Sequence, residues 1–179
     1  MDIPESVMWA MKPRIGKPLP VGNEGSGIVT EAGENAKHLI GKVVSAVGGG
    51  MYAQYRVLPA MACIEMPDDI EPKDCASSFV NPLTALGMVE TMKSEGHSAL
   101  IHTAAASNLG QMLVKICLAD NIPLINIVRK PEQVDLLKSL GAEYVCNSSD
   151  DNFKDSLVEA IKATNATLAF DATGGGELS

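Results

Sequence analysis

Ser98-Ala99-Leu100-Ile101-His102-Thr103-Ala104-Ala105-Ala106-Ser107-Asn108-Leu109-Gly110 runs from an apolar stretch into a cluster of small residues, and Leu109 to Leu118 then takes helical spacing. This order dictates a strand that enters a tight turn and leaves it as a helix. In the register G-x-G-x-x-G the three glycine positions hold Ala105, Ser107 and Gly110. Small side chains there let the turn close, let backbone approach a pyrophosphate and let the helix pack against the strand. The match is degenerate, and an ordinary small-residue turn of some other α/β protein is the competing interpretation. The neighbouring sequence therefore carries the weight.

Downstream, strands and helices alternate. Pro123 to Val128 predicts a strand, Glu132 to Leu140 a helix stopped by Gly141, Tyr144 to Cys146 a strand, Phe153 to Ala163 a helix, and Thr167 to Asp171 a strand. Such alternation implies right-handed crossovers and a parallel, doubly wound sheet. Upstream the period differs. Gly27 to Thr30, Gly41 to Val47 and Tyr52 to Val57 are short β-branched or aromatic runs, which predict an antiparallel or barrel-like β module. Gly48-Gly49-Gly50 is a turn in this scheme, because no helical pattern follows it. Ala76 to Met92 has the spacing of one helical face, with Pro82 expected to break or kink it.

At the end of the second strand of the α/β unit stand Val128-Arg129-Lys130. An NAD site places an acid there for the ribose 2′-hydroxyl. Two cations without an acid favour a 2′-phosphate instead, hence NADP (NADPH) as cofactor. A solvated basic pair ahead of a helix is the bland alternative.

Bulk properties narrow the partners. With 46% hydrophobic residues in 179, the chain can bury a core. Its net charge of −8 opposes phosphate backbones and anionic lipid, so no nucleic acid or membrane partner is expected and a small molecule is. The four cysteines have no C-x-x-C spacing, and Met1 to Glu5 lacks the pattern of a signal peptide, so a reducing cytoplasm is expected.

Several segments resemble the medium-chain dehydrogenases/reductases. Val21-Gly22-Asn23-Glu24-Gly25-Ser26-Gly27-Ile28-Val29 is similar to the segment that holds Gly-His-Glu in the zinc alcohol dehydrogenases. Gly41-Lys42-Val43-Val44, Tyr52-Ala53-Gln54-Tyr55, Asn81-Pro82-Leu83-Thr84-Ala85, Leu140-Gly141-Ala142-Glu143 and Asp171-Ala172-Thr173-Gly174-Gly175 follow in family order. The chain most resembles quinone oxidoreductases and mitochondrial-type 2-enoyl thioester reductases.

The resemblance implies part of a GroES-like catalytic β-barrel domain over 1–75 and part of a Rossmann dinucleotide-binding domain over 76–179. It implies no metal, because Asn23 and Val80 stand at the positions of the zinc ligands, and neither makes a credible Zn²⁺ ligand. His38, His97 and His102 are expected at the surface or at strand ends. Ser107 and the backbone from Asn108 to Gly110 would hold the pyrophosphate. Arg129 and Lys130 would hold the adenosine phosphate, and Thr84 and Asn81 would lie beside the nicotinamide. Asn81 before Pro82 reads equally as helix-start chemistry. No catalytic residue is assigned.

The reaction implied is hydride transfer from NADPH to a quinone or enone-type acceptor. A 2-enoyl thioester reductase and a non-catalytic nucleotide-binding or assembly module are the alternatives. Set against the family, the resemblance implies a chain truncated at both ends, with an incomplete pocket and a sheet edge that dimerisation or strand exchange would cover.

Overall fold

The computed structural model describes residue 12, residues 16–18 and residues 20–173. The chain divides into two compact units at Val80/Asn81.

The first unit holds an antiparallel sheet in the order β1 (Glu24–Ile28), β2 (Val43–Val47), β3 (Cys63–Glu65). Glu24 pairs with Val47 and Ile28 with Val43 across the first ladder; Val44 pairs with Glu65 across the second. Val44, Ala46, Leu39 and Cys75 are buried. Tyr52 to Val57, expected as a strand, lies in irregular chain, with Tyr52 85% and Val57 98% exposed. Its residues suit a strand but find no ladder to join, and strand preference is largely packing rather than backbone.

The short helix α1 (Pro72–Cys75) precedes α2 (Val80–Ser94). Pro82 does not break α2. It falls in the first turn, where a missing N–H is no loss because those amides have no intrahelical acceptor. The carboxylate of Glu24 accepts from the backbone N–H groups of Phe79 and Val80, at 3.1 and 2.8 Å, and so caps the start of the helix.

The second unit alternates as expected. β4 (Leu100–His102), α3 (Asn108–Ala119), β5 (Leu124–Val128), α4 (Pro131–Ser139), β6 (Tyr144–Asn147), α5 (Phe153–Thr164) and β7 (Leu168–Phe170) build a parallel sheet in the order β6-β5-β4-β7. Successive strand residues face opposite sides. Leu100, Leu124 and Val128 therefore pack with Val89, Leu113, Val114 and Leu137 from α2, α3 and α4. Ile101, Ile125, Ile127 and Cys146 pack with Ala160 and its neighbours Phe153 and Leu157 from α5. Full burial of each such side chain contributes about 1.5–3 kcal/mol, so two covered faces suffice to hold the sheet. Gly141 ends α4 with φ +96, a left-handed position that glycine takes without strain.

Candidate functional site

The chain leaves β4 toward β5 on one side, and β7 returns on the other, so the C-terminal end of β4 is the point where the sheet order reverses. Open α/β sheets leave a crevice at such a point. Here it is a cleft of about 220 Å³ lined by Ala104, Ala106, Ser107, Ile127, Val128, Arg129, Gln133 and Thr173.

The turn after β4 forms one wall. Ala104 adopts φ +52, a left-handed conformation that costs an L-residue about 1–2 kcal/mol. The residue that needs glycine-like freedom is thus Ala104, one position ahead of the first site of the G-x-G-x-x-G register. Ala105 is fully buried, and its N–H donates to the Ile127 carbonyl at 3.2 Å. Ser107 is the N-cap of α3; its Oγ accepts from the Gly110 N–H at 3.2 Å. Gly110 permits the close approach of helix and turn, since a Cβ there would sit 2.1 Å from the Ala105 carbonyl oxygen. Asn108 and Leu109 open the first turn of α3, with Asn108 exposed. The small residues thus bring the positive end of a twelve-residue helix to the cleft.

Arg129 and Gln133 line the adjoining wall. The Arg129 N–H donates to Gln133 Oε1 at 3.1 Å, and the Arg129 carbonyl accepts from Ser149 Oγ at 2.8 Å. Lys130 is exposed, occupies the N-cap position of α4 without a side-chain capping bond, and its ammonium lies 3.8 Å from the Glu132 carboxylate. It is not among the lining residues.

Opposite, Thr173 is held by a short network. Thr103 is fully buried; its Oγ1 donates to Asp171 at 2.7 Å and accepts from the Ala172 N–H at 2.8 Å. Asp171 also accepts from the Thr173 N–H and hydroxyl, at 3.0 and 2.8 Å.

Of the residues singled out in the sequence, Ser107 and Arg129 line the cleft, and Ala105 and Gly110 shape it from within. Asn81 and Thr84 lie in the first turns of α2 and are not among the lining residues. Gln133 and Thr173 escaped the sequence. Gln133 left one trace, its i+4 spacing from Arg129 at a helix start; Thr173 left none.

His102 stands at the end of β4, one of the two places expected for it, but fully buried, and neither ring nitrogen has a hydrogen-bond partner among the described residues. Burial lowers its pKa. Burial also pushes the Cys117 thiol up to about 12, with the Asp120 charge adding to it, so that thiol stays protonated. Among the described residues no three His, Cys, Asp or Glu side chains form a group that could hold a metal ion.

The family model for zinc-binding dehydrogenases matches residues 109–179. The chain is 31% identical over 139 residues to prostaglandin reductase-3 of Mus musculus, covering 75% of this chain and 36% of that protein. It is 33% identical over 141 residues to the mitochondrial enoyl-[acyl-carrier-protein] reductase of Homo sapiens, covering 74% and 38%. A solved structure described as an NADPH:quinone reductase of Mesorhizobium loti superposes with TM-score 0.75 at 36% identity, covering 87% of this chain and 47% of that one. By these matches the chain is similar to the medium-chain dehydrogenases/reductases in sequence and fold. The quinone oxidoreductase of Escherichia coli, at 22% identity and TM-score 0.78, shares the fold of this chain. The parallel sheet and the antiparallel sheet before it are those of the family. The chain spans between about a third and half the length of these relatives. Among the described residues no helix is long and apolar enough to cross a membrane.

Proposed function

We propose that this chain supplies the NADPH-binding part of a zinc-free reductase that transfers hydride to a quinone or another enone-type acceptor. The observation that carries the proposal is the cleft at the strand ends, lined by Arg129, which follows β5 where an NAD site would carry a carboxylate, and by Gln133 from the start of α4. A dinucleotide fits the residues present. The Gly110 position has no room for a Cβ, so the start of α3 lies directly against the turn at Ala105, beside the lining residues Ala104 and Ala106. Ser107, Asn108, Leu109 and Gly110 would bind the pyrophosphate beside Ala105. Arg129, with Lys130 at the rim, would bind the adenosine 2′-phosphate. Asn81 and Thr84 would orient the nicotinamide carboxamide.

The bound nicotinamide supplies the hydride, and the protein supplies position and polarity. Zinc does not fit: Asn23 and Val80 offer no ligand pair, and Glu24 is engaged by two backbone amides. Residues 1–75 are assigned to a GroES-like catalytic domain and 76–179 to the dinucleotide domain. We place the protein in the cytoplasm, with a small-molecule acceptor and a homo-oligomeric state.

Enoyl thioester reduction is the second reading, favoured by the 33% identity to a mitochondrial enoyl-[acyl-carrier-protein] reductase. Fluorescence titration of the folded chain with NADPH and NADH tests the cofactor; binding of neither would remove it. Turnover of a quinone against crotonyl-CoA, measured on a chain carrying the whole two-domain enzyme, separates the acceptors. NADPH binding without turnover of any acceptor would favour a nucleotide-binding module.

A further inference from the structure

We infer that Gln133 is a selectivity-determining residue of the nucleotide cleft, its amide NH₂ serving as a hydrogen-bond donor to the adenosine 2′-phosphate beside Arg129. This rests on the NADPH reading above.

Gln133 lies in the first turn of α4 and lines the same cleft as Arg129 and Ser107. Its carbonyl oxygen accepts the Arg129 N–H at 3.1 Å. An N–H needs an acceptor, so chemistry decides which way the amide stands: Oε1 turns to the Arg129 backbone, and the other end of the group is NH₂, a donor only. Ser149 takes the second backbone pole of Arg129 through its carbonyl at 2.8 Å. The guanidinium therefore springs from a backbone held on both sides, from α4 and from the segment after β6.

A 2′-phosphate offers acceptors and negative charge, whereas a free 2′-hydroxyl also has a proton to donate, which an NAD site answers with a carboxylate. Guanidinium and amide NH₂ have no acceptor to give it. Both groups, together with the positive end of α4, suit the phosphate.

Gln133→Glu tests this. It keeps an oxygen for the Arg129 N–H and replaces the NH₂ with a second, negatively charged acceptor. Dissociation constants for NADPH and NADH, measured by nucleotide fluorescence with thermal melts alongside, give the selectivity ratio. The expected result is NADPH weakened by about tenfold or more, with NADH unchanged within about threefold or tightened. If the substituted chain fails to fold, Gln133→Met, which keeps the length and loses both the NH₂ donor and the amide oxygen that accepts the Arg129 N–H, should weaken NADPH more than NADH. Equal weakening of both nucleotides, or an unchanged ratio, overturns the assignment. A folded wild-type chain that binds no NADPH overturns the cofactor reading and this inference with it. A wild type that binds both nucleotides equally well overturns the role of the 2′-phosphate itself.

Discussion

His102 occupies the middle layer of the parallel sheet with both ring nitrogens buried and unpaired, in register with Asn126 on one side and Phe170 on the other. Desolvation lowers its pKa, so the folded state favours the neutral ring. The unfolded chain binds a proton near pH 6.5 that the folded chain refuses. Stability from this residue is therefore present above about pH 6.5 and is lost as pH falls below it, by at most about 1.4 kcal/mol per pH unit. Urea unfolding at pH 7.5 and 5.5 should show that loss in the wild type, and His102→Leu should shrink it. An equal loss in both proteins would sink the idea. Gly110 gives a second test, since its missing side chain admits the Ala105 carbonyl. Gly110→Ala should lower stability by about 3 kcal/mol and weaken NADPH binding, because the clash is with backbone that cannot swing aside. Ala104→Gly should act in the opposite direction, gaining about 0.5–1 kcal/mol in a chemical denaturation series, as relief of the left-handed strain exceeds the added freedom of the unfolded chain. Sequence alone could not have pointed to Ala104, since alanine carries no mark of a positive φ.

The most specific test at the level of elements concerns α3. Ser107 caps it, so Ser107→Ala should cost about 1 kcal/mol in a thermal or urea melt, whereas Ser107→Asp should hold stability and repel NADPH. Loss of stability with unchanged NADPH affinity in both variants would confine Ser107 to the helix. The elements of the second unit were legible because each strand is a short apolar run and each helix has a face that repeats; Leu124 to Val128 is buried throughout, as a central parallel strand must be. Two misreadings have local causes. Tyr52 to Val57 has strand-like residues without a partner ladder, and pairing is a tertiary fact that no single segment carries. Pro82 reads as helix-interior because the apolar spacing begins at Ala76, whereas the helix starts at Val80, where the Glu24 carboxylate accepts the Phe79 and Val80 N–H groups, a contact the segment itself does not reveal. Asn165, at φ +54 after α5, shows a helix end made without glycine, which asparagine tolerates.

Across the whole molecule, the strand order β6-β5-β4-β7 is what turns scattered residues into a site. Ala104, the pair Arg129 and Gln133, and Thr173 come from three separate stretches of chain and meet only because the strand order reverses beside β4. The nucleotide turn and the basic strand end could be read locally; Gln133 and Thr173 gain meaning only once β5 and β7 flank β4. Binding should be felt throughout the second unit. NADPH at a hundredfold excess over its dissociation constant is expected to raise unfolding free energy by about 2.7 kcal/mol, read as a concentration-dependent shift in melting temperature. A melting temperature unmoved by NADPH would contradict the cofactor proposal on thermodynamic grounds, independently of fluorescence.

The Thr103 hydroxyl, which gives its proton to Asp171 and receives the N–H of Ala172, has an evolutionary consequence. Valine has the right shape and neither function, so it would leave the Ala172 N–H without its acceptor and take one donor from the Asp171 carboxylate, which keeps those of Thr173; serine alone keeps both. Positions 103 and 171 are therefore expected to vary together: across descendants of this chain a change at one should be found with a matching change at the other, although 68 residues separate them.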